Sequence, residues 1–252
     1  MASGGSSEGP GGTGDEGVEG RIAGLPLVEE DDRDALGRRL AADIVRWLRE
    51  AIEARGEASL VVSGGSTPAP LFAALSRADL DWSKVRVTLA DERWVSPDHD
   101  DSNEALVRRS LLVERAAAAD FVSLYREMHS PEEALETVHA ALAEMPRPFD
   151  VVVLGMGTDA HTASLFPDAP ELEAAMSERD SLVLATHPPS VPQARITLTA
   201  AALLDSHRCV LHVTGADKRE VLEQALGAPP PRPPVARVLS ARADGVAVYW
   251  SD

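Results

Sequence analysis

Short apolar runs alternate along the chain with stretches of helical periodicity. Ser59–Val62, Val85–Leu89, Phe121–Leu124, Val151–Leu154, Leu182–Ala185, Val210–Val213 and Val246–Tyr249 are the apolar runs. Their length and β-branched content predict buried strands. In Arg33–Arg55, Leu36, Leu40, Ile44, Trp47, Leu48 and Ile52 recur at spacings near three and four, which predicts an amphipathic helix. Pro68–Ser76, Asn103–Glu114, Pro131–Glu144 and Ala216–Leu226 predict further helices. Strand and helix in alternation imply an α/β fold with a mostly parallel sheet covered on both faces. Residues 1–24 hold nine of the 18 glycines and no apolar period, which predicts a disordered tail. No repeat or clear linker divides the remainder. The proline cluster Pro229–Pro234 comes too late to separate two domains, so one α/β domain is expected over residues 25–252.

Charge narrows the partners. The formal net charge of −17 argues against a nucleic-acid or anionic-membrane surface. A phosphorylated substrate would need a few well-placed cations to overcome it. Only two of the 24 basic residues are lysines, Lys84 and Lys218, and Lys218 lies close to a glycine turn. No apolar run approaches the roughly 20 residues of a membrane span. The N-terminal residues lack the basic-then-apolar order of a secretory signal. Cys209 is the only cysteine, so no internal disulfide is possible and a buried, inert thiol is expected. These features predict a cytoplasmic protein.

Candidate chemistry sits where the predicted strands end. The stretch Phe149–Pro167 reads FDVVVLGMGTDAHTASLFP: a buried strand, a glycine turn at Gly155–Gly157, then Asp159 and His161. Open α/β sheets build ligand sites at the carboxyl ends of their strands. An ordinary imidazole titrates near pH 6.5, so His161 is suited to moving a proton. The other six histidines read as structural or surface residues. No histidine pair has strong metal-ligand spacing, and no metal is expected. No G-x-S-x-G elbow is present, so any hydrolysis would use an activated water. Gly155–Ala160 fits the loose dinucleotide pattern G-x-G-x-x-G/A, but Pro167 and Pro170 interrupt the helix that pattern requires.

Ser63–Pro68 (SGGSTP) follows another strand. It reads as an anion cradle made of Gly64, Gly65, Ser66 and Thr67, or as a plain strand-to-helix turn in which Thr67 caps the helix. It is not a P-loop, since no Gly-Lys-Ser/Thr follows. Asp91-Glu92-Arg93 places Arg93 where a guanidinium could match phosphate oxygens; the alternative is a solvated loop. Ser102-Asn103 reads as the cap of the next helix. Thr214–Lys218 (TGADK) puts Lys218 in the first turn of a helix, against the dipole preference, which points to an anion there. The alternative is a surface lysine. Arg195, at the start of a short run that reads as a possible strand, is a weaker candidate.

Taken in order, SGGSTP at 63–68, ADERWV at 90–95 with SN at 102–103, LGMGTDAHTASLFP at 154–167, RITLT at 195–199 and TGADK at 214–218 resemble the 6-phosphogluconolactonase family. The resemblance implies a Rossmann-like three-layer α/β/α domain that hydrolyses 6-phospho-D-glucono-1,5-lactone, the second step of the oxidative pentose phosphate pathway. It implies no metal or nucleotide cofactor and a small phosphorylated sugar lactone as partner. A monomer or weak homodimer is the expected assembly. The resemblance makes His161 the general base on water; beside it, Asp159 reads as orienting either the imidazole or a sugar hydroxyl, and backbone N–H groups near the Gly155 turn as donors to the oxyanion. Arg93 and Lys218, with the Gly64–Thr67 loop, would hold the phosphate. Two positions depart from the family pattern: Ala160 and Asp168 stand where glycine is usual. If position 160 needs a positive φ, alanine costs about 1 kcal/mol or moves the loop. Two alternatives have different chemistry. One is a glucosamine-6-phosphate deaminase or isomerase, with Asp91 as its base. The other is a sugar-phosphate-binding protein without turnover.

Overall fold

The helix predicted at Arg33–Arg55 forms with those bounds. The Asp32 side chain accepts from the Ala35 N–H and starts it; Gly56, at φ 85, ends it. Leu36, Leu40, Ile44 and Leu48 are fully buried, each contributing roughly 1.5–3 kcal/mol. Asp43 on the same helix accepts a 3.0 Å bond from the Tyr249 hydroxyl and pairs with Arg39 and Arg46.

The computed structural model describes residues 20–242 and 246–252. Its strands are β1 (Gly20–Ile22), β2 (Leu25–Glu30), β3 (Ala58–Val62), β4 (Val85–Leu89), β5 (Asp91–Arg93), β6 (Asp120–Val122), β7 (Phe149–Leu154), β8 (Val183–Thr186), β9 (Arg195–Leu198), β10 (Ser206–Thr214) and β11 (Val246–Ser251). Its helices are α1 (Arg33–Arg55), α2 (Ala69–Leu75), α3 (Asn103–Ser110), α4 (Pro131–Ala143), α5 (Leu172–Ser177), α6 (Ala200–Leu204), α7 (Ala216–Gly227) and α8 (Pro234–Ser240).

Among the described residues, eight strands form one sheet in the order β1-β2-β11-β10-β7-β3-β4-β6. Every pair in it is parallel except the β1–β2 hairpin. The chain moves one way across the sheet from β2 through α1 to β3, and the other way from β10 through α7 and α8 to β11. Right-handed crossovers therefore put these helices on opposite faces, giving three layers. The fold is α/β with a mostly parallel sheet, as the alternation predicted. Because β3, β4, β7 and β10 are parallel, their following loops gather at one edge.

The structure differs from the sequence reading at several points. The run at Leu182–Ala185 forms a strand, but in a separate antiparallel sheet, β5-β9-β8. Gly20–Ile22, within the segment read as a tail, pairs with β2; residues 1–19 lie outside the described residues. Thr67 does not cap α2, which starts after Pro68 without a side-chain cap. The third helix stops at Ser110, and Glu114, at φ 50, opens a short 3-10 turn, Glu114–Ala118. Cys209 is fully buried, and burial pushes its thiol up to about 12. Among the described residues no helix is long and apolar enough to cross a membrane.

Candidate active site

The loops after β3, β4, β7 and β10 enclose a cleft of about 250 Å³. After β3, the Ser63 hydroxyl donates to the Val153 carbonyl at 3.0 Å and accepts from the Gly155 N–H at 3.3 Å, tying two strand ends together. Gly64 has a packing reason. A Cβ there would lie 1.9 Å from Asn103 Oδ1, so only glycine lets Asn103 approach. Asn103 Nδ2 in turn donates to the Asp91 carbonyl at 2.9 Å. Gly64, Gly65, Ser66 and Thr67 all line the cleft.

The acidic stretch after β4 divides its labour. Glu92 is fully buried and accepts from the Arg93, Asn103 and Glu104 amides at 2.7 Å and from the Ser102 hydroxyl at 3.0 Å. It is the anion on the N-terminus of α3, while Ser102 also caps that helix as expected. Burial pushes the Glu92 carboxyl up, against those four bonds. Asp91 and Arg93 face the cleft instead. Asp91 accepts a 2.6 Å bond from the buried Ser164 hydroxyl.

After β7 the chain forms the His161–Asp159 pair. His161 Nδ1 lies 2.5 Å from Asp159 Oδ1, and the His161 amide donates to the same oxygen at 3.2 Å. Burial raises the Asp159 carboxyl, but the bonds and charge of His161 outweigh it and hold it below its usual range. His161 lines the cleft and Asp159 stands behind it. Gly157 is required here: a Cβ would fall 2.2 Å from His161 Cε1 and 2.6 Å from Asp159 Oδ1. Ala160 has φ 63, so it takes up the left-handed conformation that its neighbours impose. Its amide donates to Gly157 at 3.1 Å and its carbonyl accepts from Val235 at 3.1 Å. Asp168 accepts from the Ser190 amide at 2.9 Å and hydroxyl at 3.1 Å, fastening a neighbouring loop. The Gly155 and Gly157 amides, expected near an oxyanion, are engaged by Ser63 and by the His161 carbonyl.

After β10, Lys218 enters the cleft from the first turn of α7 and donates to the Met156 carbonyl at 2.7 Å. Burial, then the charge of Arg33, lowers its pKa. His212, read from sequence as structural or surface, also lines the cleft. It is 3% exposed, and its Nε2 is buried without a partner. Burial and Lys218 lower its pKa to about 4, so the ring is neutral. The sequence signal, a polar residue within an otherwise apolar strand end, is faint. Arg195 stands just outside the cleft, 6% exposed, with Nε and Nη1 unpartnered. Its pKa is lowered by burial and then by the charge of Arg93. No group of three potential metal ligands occurs among the described residues.

Fold and cleft together define an α/β protein whose carboxyl-edge cleft brings a histidine–carboxylate pair together with a glycine-rich loop and the cations Arg93 and Lys218. A family model described as Glucosamine-6-phosphate isomerases/6-phosphogluconolactonase matches residues 31–250. A 6-phosphogluconolactonase from Mesorhizobium japonicum is 45% identical over 221 residues, covering 87% of this chain and 92% of that relative. One from Pseudomonas aeruginosa is 46% identical over 205 residues, covering 81% and 86%. The crystal structure of a 6-phosphogluconolactonase from Shewanella baltica superposes with a TM-score of 0.87 at 44% identity, over 93% of this chain and 99% of that one. The chain belongs to the glucosamine-6-phosphate isomerase/6-phosphogluconolactonase family.

Proposed function

We propose that this protein hydrolyses 6-phospho-D-glucono-1,5-lactone to 6-phospho-D-gluconate, in the cytoplasm, as the second step of the oxidative pentose phosphate pathway. One observation carries the reading: His161, held by Asp159, shares a single cleft with Lys218, Arg93 and the Gly64–Thr67 loop. Relatives bearing the lactonase name support the substrate.

The chemistry runs through the free nitrogen of His161. Asp159 occupies Nδ1, which leaves Nε2 to take a proton from water as the water oxygen bonds to C1. The carbonyl becomes an oxyanion. In the turn, the Met156 amide is the donor left for it, since the Gly155 and Gly157 amides bond within the protein. Collapse breaks the bond from C1 to the ring oxygen, and His161 returns the proton to that oxygen. The acid formed at C1 then ionises. Lys218 and Arg93 hold the phosphate, with Arg195 behind Arg93 adding charge.

The test is the loss of freshly generated lactone at mildly acidic pH, where spontaneous hydrolysis is slow. Wild type should accelerate it and His161→Ala should not. Equal acceleration by both would remove His161 from the reaction, and none by either would remove the reaction itself.

A further inference from the structure

Phe166 has no part in the scheme above, yet its ring lies against the proposed base. The His161 and Phe166 centroids are 4.0 Å apart and the planes are inclined by 22°, a stacked contact. Phe166 is 5% exposed. Only four residues separate the two in sequence, so the chain must double back to bring them together. It does so through a tight turn in which the Leu165 amide donates to the Thr162 carbonyl at 3.0 Å. Ala163 in that turn has φ 49, a conformation L residues rarely adopt. The turn is fastened on three sides. Thr162 Oγ1 donates to the Gly155 carbonyl at 2.8 Å, the Ser164 hydroxyl to Asp91 at 2.6 Å, and the Ser164 amide to Thr197 Oγ1 at 3.2 Å.

This contact supplies what the Asp159 bond lacks. A hydrogen bond at Nδ1 fixes one atom of the imidazole; a flat ring beneath it fixes the plane, and with it the direction of Nε2. The second effect is electrostatic. An aromatic face attracts a cation more than a neutral ring. His161 becomes a cation when it takes the proton from water, so the contact strengthens as the reaction proceeds. Interactions of that kind raise kcat rather than lower KM. Arg195 lies 6.0 Å from the same ring, at the outer limit for such contacts, and the nearer His161 takes the larger share. The other charged groups around His161 are Asp159 at Nδ1, and Asp91, Arg93 and Lys218 in the same cleft.

We propose that Phe166 is a positioning residue for His161: it fixes the imidazole plane and stabilises the imidazolium formed as water is deprotonated. This rests on the reading of His161 as the base. Two measurements test it. In the wild-type proton NMR spectrum, the His161 ring resonances (assigned by their loss in His161→Ala) should be shifted upfield by the Phe166 ring current. In steady-state kinetics, Phe166→Leu should lower kcat by roughly 3- to 30-fold with KM within about twofold. Phe166→Tyr, which keeps the face, should retain most of kcat. Unshifted His161 resonances, unchanged kcat in Phe166→Leu, or equal losses in the leucine and tyrosine variants would each overturn the proposal. Wild-type activity in His161→Ala would overturn the reading beneath it, while the ring-current shift would still report the contact.

Discussion

Arg93 and Arg195 are direct partners across the antiparallel β5–β9 pair. Like charges in that position repel. Arg93 Nη1 relieves itself on the Asp101 carbonyl, but Arg195 keeps two buried nitrogens without partners. Such a pair is costly in the empty protein and suited to an anion. Arg195→Met should therefore raise the melting temperature by a few degrees, roughly 1 kcal/mol or more. The same variant should weaken 6-phosphogluconate binding by about tenfold. Calorimetry and thermal melts check both; a variant that loses stability and keeps its affinity would refute the assignment.

Gly157→Ala should fold but work poorly. The added carbon collides with both members of the His161–Asp159 pair. Misplacing a reacting group by about 1 Å can cost on the order of 100-fold in rate. The expected result is a kcat reduced by about that factor with a melting temperature near wild type.

Ala160 already sits in the left-handed region. Glycine there relieves about 1 kcal/mol of strain and loses a similar amount through the freer unfolded chain. Ala160→Gly should thus leave stability within about 0.5 kcal/mol. Its activity should be at least that of wild type. Ala160→Val, β-branched at positive φ, should destabilise by roughly 2 kcal/mol or more. Denaturant titration of the two variants checks the pair.

His212 makes stability depend on pH. Its folded pKa, about 4, lies below the ordinary histidine value, so the folded protein prefers the neutral ring. Its stabilising effect is present above about pH 6.5 and is lost as pH falls toward the folded value, where the unfolded chain binds the extra proton. The slope from this group should reach about 1.4 kcal/mol per pH unit. His212→Leu should flatten the profile between those limits in urea melts at a series of pH values.

Much of the fold was legible because helix periodicity and buried strand runs are local signals. α1 carries its own cap, apolar stripe and terminating glycine, and its bounds follow from them. What local pattern does not encode is which sheet a strand joins. The Leu182–Ala185 run looks like the others, yet it pairs antiparallel beside β9. The candidate site was legible as strand-end motifs and partly misread within them. Gly64 reads as an opening for a ligand and does line the cleft, but its missing side chain also makes room for Asn103, 39 positions away in sequence, which no local pattern encodes. Thr67 reads as a helix cap, but Pro68 occupies that place. His212 reads as a structural or surface residue and Phe166 as part of an apolar motif, because what each one touches depends on which residues the fold sets beside it, not on spacing in the chain.

The insertion of β11 between β2 and β10 orders the folding of the molecule. Leu27 pairs with Val248, so β2 joins the main sheet only by closing a loop across most of the described chain. Such non-local pairings are slow, because the entropy of closure is lost before any contact offsets it. The strands that carry the cleft do not wait for them: β3 pairs with β4 and β7, and β7 with β10, independently of β2 and β11. The cleft's framework is therefore positioned to assemble first, with the hairpin edge joining an already formed centre.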